Sequence, residues 1–366
     1  MTRPRRRIEK LEVAAYTIPT DAPEGDGTLR WDATTIVVVH AHCGDMVGLG
    51  YTYADRSAAT LIQGKLGAVV EGLEVDAPRH AWAAMVRAIR NLGRPGIAAS
   101  AISAVDVALW DLHARMLGAP LCTVLGGAHD HVPVYGSGGF TTYSDERLQE
   151  QLGGWVRQGI PRVKMKVGAA PADDPRRVRL VRDAIGPDAE LFVDANGAYQ
   201  RKQALEIAYR FKEESDVSWF EEPVSSDDLT GLRMLRDRGP AGMAIAAGEY
   251  GYDAAYFAQM LAAESVDVLQ ADITRCGGVT ELLRVGALCL AHSMPFSCHC
   301  GPAIHVHGAA AIENLLHVEY FHDHVRIEQL LFDGLPELRD GALWPDLSRP
   351  GIGLELRRSD AEPYAG

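Results

Sequence analysis

The chain is predicted to be an α/β protein, a parallel (β/α) barrel of modified TIM-barrel type behind an α+β N-terminal capping domain, and three observations lead there. Eight short apolar segments, Val132–Tyr135, Arg162–Val167, Leu191–Asp194, Ser218–Glu221, Ala244–Ala247, Val266–Ala271, Pro295–Cys298 and Leu316–Glu319, alternate with helical stretches. Apolar strands of this kind, each followed by a helix, belong to a parallel sheet covered on its faces. Most of these segments also end on or beside an ionisable residue, and the opening third of the chain lacks the alternation. A doubly wound sheet is the competing fold. It wants a glycine-rich phosphate loop opening a helix after its first strand, and Gly136-Ser137-Gly138-Gly139 opens none.

In chain order, Lys10–Ile18 and Thr34–His42 read as strands, and the Asp-, Gly- and Pro-rich link Pro19–Asp32 is longer than a hairpin needs, which makes it a flap. Ala54–Val70, Arg79–Asn91 and Ile97–Leu117 read as helices. The last carries Ala98, Ala99, Ala101, Ala104 and Ala108, small enough for close packing. Residues 1–131 therefore form the capping domain and residues 132–320 the barrel. In the barrel Ser144, Asp174, Asp227 and Asp253 stand as helix N-caps, and Gly159, Gly186 and Gly239 close helices or turns. Residues 321–366, with Gly334, Pro336, Gly341, Pro345 and Pro350, read as an irregular tail returning to the capping domain.

The 366 residues hold 36 Lys and Arg against 49 Asp and Glu, a formal charge of −13 that argues against nucleic-acid or membrane partners. A small anionic substrate stays compatible where local cations or a metal ion reverse the field. The basic cluster Arg3–Arg7 has no apolar run behind it and reads as a solvated tail, not a secretory signal, and no stretch is expected to span a bilayer. Cys43, Cys122, Cys276, Cys289, Cys298 and Cys300 show no framework spacing, which suits reduced thiols in a cytoplasmic protein. Cys298-His299-Cys300, with His305 and His307 behind it, raises a zinc site. Strand alternation argues against it, since His299 would face away from both thiols.

At a barrel mouth the strand ends converge. Lys164 and Lys166 alternate with Val163, Met165 and Val167, so both ammonium groups share a face and call for a negative partner, unless they are simply solvated. Asp194, Glu221 and Glu249, from consecutive strands, make a hard-oxygen set suited to Mg²⁺, with neighbouring Glu222 pointing elsewhere. Singly, each acid could be an exposed strand end or a salt bridge. Asp272 and His299 can pair as an oriented imidazole base, and Lys166 can be a second base, its pKa lowered by Lys164 and the metal. Lys164 is better placed to bind a carboxylate oxygen. Asn196, Arg275, Tyr53 and Trp31 are the candidate substrate contacts.

These residues resemble the enolase superfamily and, within it, the mandelate racemase subgroup. Lys164-Met165-Lys166 is similar to its paired-lysine strand, and Asp194-Ala195-Asn196, Trp219-Phe220-Glu221-Glu222-Pro223 and Gly248-Glu249 to its metal-ligand motifs. Asp272 to Thr280 resembles the segment bearing the dyad aspartate, Ser297-Cys298-His299 the one bearing the histidine, and Glu319 the acid that hydrogen-bonds the substrate carboxylate. The resemblance spans nearly the whole chain. It implies Mg²⁺-dependent removal of the proton next to a carboxylate, with Mg²⁺, Lys164 and a protonated Glu319 stabilising the enediolate. It also implies a homo-oligomer. Polar groups in the flap, in Tyr51 to Arg56, and at Arg275 and His324 favour a polyhydroxylated acid. Dehydration of a hexonate or hexarate to a 2-keto-3-deoxy acid is the expected reaction. Racemisation, epimerisation or cycloisomerisation of a related acid or lactone, and a non-catalytic scaffold, are the alternatives.

Overall fold

The computed structural model describes residues 6–366. Arg3 and Arg5 of the basic cluster lie outside the described residues. The chain opens with an antiparallel sheet, β1 (Lys10–Gly25), β2 (Arg30–Cys43) and β3 (Met46–Tyr53), in that order. The stretch expected to be a flap outside the strands is instead the far end of the β1–β2 hairpin. Pairing resumes at Glu24–Trp31 and Gly25–Arg30 after a bulge between Pro19 and Glu24. Pro19 and Pro23 are tolerated because β1 is an edge strand, where a missing N–H costs no ladder bond.

The sequence reading missed β3, whose pattern is broken by Gly48 and Gly50. Both glycines are there for contact: a Cβ would lie 2.2 Å from the carbonyl oxygen of Ala108 at Gly48 and 2.3 Å from that of Ala104 at Gly50. The alanine-rich helix Ile97–Leu117 thus rests directly on β3. At 21 residues with mean hydropathy 1.3 it is long and apolar enough to cross a bilayer, which corrects the expectation that no stretch would be, but 83% of that window is packed inside the protein. It also joins the sheet to the barrel. Asp106 accepts from the Thr280 amide at 2.8 Å and hydroxyl at 2.7 Å, and Trp110 donates to that hydroxyl at 2.9 Å.

The barrel strands are β4 (Val132–Gly138), β5 (Arg162–Lys166), β6 (Glu190–Asp194), β7 (Val217–Glu221), β8 (Ala244–Ala247), β9 (Val268–Ala271), β10 (Phe296–Cys298) and β11 (Leu315–Phe321). All neighbours pair in parallel, and β11 pairs with β4 to close the ring. Register places Lys166 beside Asp194 and Asp194 beside Glu221. Two residues earlier on the same strand faces, Phe192 and Trp219 stack at 5.2 Å and fill the lumen with Tyr135, Ala246 and Val268. The ionisable ends therefore sit on an apolar plug. Gly136 is a packing glycine, since a Cβ there would lie 2.7 Å from the Trp155 ring.

Ser144 and Asp253 cap their helices by accepting from Arg147 and Tyr256 amides. Asp174 does not cap: it lies inside its helix and accepts from the Gly168 amide and the Tyr199 hydroxyl. The expected cap at Asp227 falls one residue later, on Asp228. The tail is more regular than expected, with a helix at His322–Leu331 and a hairpin, Glu337–Arg339 with Ala342–Trp344, that pairs with the start of β4. It then reaches the first domain through the Ile352 amide, which donates to Asp111, and Arg358, which pairs with Glu12.

Candidate active site

Lys164 is fully buried, with Nζ 2.6 Å from Glu221, 2.8 Å from Glu319 and 3.4 Å from Asp194. Lys166 donates to Asp194 Oδ2 at 2.5 Å. On the other side His299 Nδ1 meets Asp272 Oδ2 at 2.8 Å, while Asp272 Oδ1 accepts from the Thr274 amide and hydroxyl, both at 2.7 Å. The pairing fixes the ring and leaves Nε2 free to exchange a proton. Nε2 faces Glu249 Oε2 at 3.1 Å, Cys300 Sγ at 3.3 Å and Glu319 Oε2 at 3.6 Å. Arg275 links Glu249 at 3.2 Å to Asp272 at 3.6 Å. The amide of Asn196, at positive φ, donates to Asp194 Oδ1.

The electrostatics bear on two of these expectations. Burial disfavours the Lys166 ammonium and Asp194 outweighs it, so its pKa stands above, not below, the ordinary value despite the opposing push of Lys164. Glu319, expected to carry a proton, is pulled the other way: burial would raise its carboxyl, but Lys164 and His299 hold it well below the usual range. Glu222 is buried as well; burial, with Glu249 and Asp194 adding to it, pushes its carboxyl well above the usual range, and its Oε1 has no hydrogen-bond partner. Burial raises Glu221 to about 8 against the pull of Lys164. Burial also disfavours the His299 imidazolium, and Cys300, Glu249, Glu319 and Asp272 outweigh it. Asp272 drops to about 2, its burial overcome by His299.

The proposed substrate contacts divide. Arg275 faces a cleft of about 370 Å³ that it shares with Tyr53, Asp55, Tyr250, Tyr252 and Tyr256. Tyr53 stacks on His324 at 3.4 Å and turns its hydroxyl to the His324 carbonyl. Trp31 donates to Glu24 and packs edge-on against Phe140 at 5.7 Å, in a cluster with Tyr143, Cys300 and Phe321. The hairpin thus gives the mouth an apolar wall where polar groups were expected. Tyr51 and Thr52 are also taken up, by Glu328 and the Thr274 carbonyl.

Two neighbours were given no role by the sequence reading. Trp219 and Gln270 each donate to Glu221 Oε2 at 3.0 Å, and Gln270 could have been found from its alternation with Asp272. Cys300 is named beside His299 in the sequence and set aside on strand alternation, which fails there because the strand stops at Cys298 and Cys300 turns back at φ 51°, bringing its thiol to His299. His305 and His307 spend their ring nitrogens on backbone groups and take no part.

Residues 147–361 match the family model Enolase C-terminal domain-like, and residues 27–126 match Mandelate racemase / muconate lactonizing enzyme, N-terminal domain. The chain belongs to the enolase superfamily. A mandelate racemase/muconate lactonizing enzyme-like protein from Rubrobacter xylanophilus superposes with TM-score 0.97 at 59% identity, covering 98% of this chain and 100% of that one. L-talarate/galactarate dehydratase of Salmonella typhimurium LT2 is 30% identical over 362 residues, 96% of this chain and 89% of that protein. Its crystal structure with Mg and L-lyxarohydroxamate aligns at TM-score 0.90 and 27% identity, covering 99% of this chain and 93% of that one. A 3,6-anhydro-alpha-L-galactonate cycloisomerase of Streptomyces coelicolor is 30% identical over 361 residues, 95% of this chain and 97% of that protein.

The mouth of this superfamily barrel fits a divalent cation. Asp194, Glu221, Glu249, Asp272 and Glu319 face Lys164, Lys166, Arg275 and His299. Glu221 and Glu249 bring carboxylate oxygens within 4.8 Å of one another, and Glu222 Oε1 is buried without a hydrogen-bond partner, an under-satisfied oxygen-rich setting that suits a doubly charged, oxygen-loving ion.

Proposed function

We propose that this chain removes the proton alpha to a carboxylate with the help of Mg²⁺, and that its reaction is dehydration of a hexonate or hexarate acid sugar to a 2-keto-3-deoxy acid. The observation carrying this is the pair of proton-bearing side chains, Lys166 on β5 and His299 after β10, each anchored by one aspartate at one mouth. Asp194, Glu221 and Glu249 would hold the ion, which when bound supplies positive charge against the substrate carboxylate as a second negative charge develops there. Lys166 acts as a base only when its ammonium is released from Asp194. Lys164 and Glu319 orient the substrate carboxylate. One of Lys166 and His299 takes the α-proton; the other returns a proton to the leaving β-hydroxyl, which departs as water. Asn196, Arg275, Tyr53 and Trp31 bound the substrate chain.

The cycloisomerase relative favours one second reading. The same residues serve whether the β-oxygen that leaves is a free hydroxyl or part of a ring. Residues 1–131 cap the site, 132–320 carry the chemistry and 321–366 return to the cap. We place the enzyme in the cytoplasm as a homo-oligomer acting on a small carboxylate, without nucleic-acid or membrane partners. Incubation with a panel of acid sugars and lactones, with Mg²⁺ or with chelator, tests the reading. A 2-keto acid formed from an open-chain sugar acid only with Mg²⁺ is expected. Turnover confined to a lactone or anhydro acid selects the second reading, and no turnover of any member defeats both.

A further inference from the structure

One feature of the mouth has no part in that chemistry. Cys300 and Gly301 both adopt left-handed backbone, at φ 51° and 47°. For a cysteine that conformation is strained, and such strain persists where the surroundings over-determine it. It swings the thiol back onto His299, so Sγ lies 3.3 Å from Nε2 and 3.4 Å from Glu319 Oε2, whose distance to Nε2 is 3.6 Å. The Cys300 amide also donates to Glu319 Oε2 at 3.1 Å. Three donors of different kind, sulfur, imidazole nitrogen and carboxylate oxygen, thus form a nearly equilateral triangle.

Tetrahedral zinc with bonds of about 2.3 Å to sulfur, 2.0 Å to nitrogen and 2.1 Å to oxygen has donor–donor edges of roughly 3.4–3.6 Å. The triangle already matches those edges within a few tenths of an ångström. Glu249 Oε2, 3.1 Å from Nε2, or a water takes the fourth position. A thiolate and an imidazole prefer this class of ion, whereas Mg²⁺ prefers oxygen alone.

We propose that His299, Cys300 and Glu319 form a second cation site for a thiophilic divalent ion of the zinc class, whose binding withdraws His299 from proton transfer. On binding, the Cys300 S–H bond breaks, its proton leaves to solvent and a sulfur–metal bond forms. The ion occupies Nε2, the ring nitrogen that Asp272 leaves free. Zinc is therefore an inhibitor that excess Mg²⁺ does not displace.

The test has readouts independent of turnover. With the whole protein in excess Mg²⁺, cadmium is expected to raise a thiolate-to-metal ultraviolet band that saturates at one equivalent, and zinc to remove it. X-ray absorption of the zinc-loaded protein is expected to show one sulfur among nitrogen and oxygen donors. Cys300→Ser should weaken zinc binding at least about tenfold, while Cys43→Ser, at a half-buried thiol of the capping sheet, should leave the band intact. A zinc shell without sulfur overturns the proposal, as does a band lost in Cys43→Ser and kept in Cys300→Ser. Should Cys300→Ser fail to fold, the X-ray absorption of the unaltered chain decides alone.

Discussion

Two groups of buried acids in this molecule differ in their surroundings. Where the capping domain meets the barrel, Asp106, Asp111 and Glu328 are almost wholly enclosed, and burial raises their carboxyls to about 7, 6 and 8. At the barrel mouth Glu221 is raised by burial to about 8 as well. The shift alone therefore does not separate the regions. Their partners do. Asp111 accepts from the Leu49 and Ile352 amides and from Arg115, and Glu328 from the Tyr51 hydroxyl and the Ala303 amide. At the mouth the acids meet ammonium groups, an imidazole and one another, and Glu222 keeps an oxygen with no partner. Acids saturated by backbone hold a fold together; acids paired with mobile protons wait for an ion or a substrate.

Substitutions on each side sharpen this contrast. The largest effect belongs to the mouth: His299→Asn or Lys166→Ala should each lower kcat by about 10²- to 10⁴-fold with little change in melting temperature. Full turnover in either variant would break the division. Next comes Asp111→Ala, which strips three donors of their acceptor and should cost roughly 3 kcal/mol of stability, read by denaturant unfolding, while the folded fraction keeps its kcat. Glu328 gives a smaller, pH-dependent effect. Its folded pKa of about 8 lies above the unfolded value, so folding takes up a proton between them and stability falls as pH rises, by at most about 1.4 kcal/mol per unit. Glu328→Gln should flatten that slope in melting curves taken between about pH 5 and 8. The opposite sign holds for Asp272, whose contribution is lost only as pH falls towards about 2. The smallest expected change comes from Gly27→Ala at the hairpin tip, where a Cβ would lie 2.4 Å from the Ala195 carbonyl oxygen and 2.7 Å from that of Val167. KM should rise about tenfold, with the melting temperature unmoved.

The barrel was legible because an eightfold repeat of apolar strand and helix leaves few other folds open, and the mouth because strand alternation assigns Lys164, Lys166, Asp194 and Glu221 to one end. What was lost depended on contacts between distant segments. Gly48 and Gly50 broke the pattern of β3 for the sake of a helix sixty residues on. Pro19 and Pro23 read as breakers because nothing local says that β1 is an edge. Cys300 left the strand rule through a left-handed turn, and the charge state of Lys166 depends on the Asp194 carboxylate pressed against it.

The hairpin that walls the mouth also governs time. Its tip Gly27 is wedged between the ends of two barrel strands, and Gly25 and Asp26 accept from Thr141. Because β1 and β2 run unbroken into the capping sheet, freeing this tip requires bending at the Pro19–Glu24 bulge or shifting the cap as a body. Motions of that size take microseconds to milliseconds. If product leaves only when this tip lifts, release and not proton transfer sets the ceiling on turnover, and the expected sign is a turnover that falls with solvent viscosity while every residue at the mouth is intact.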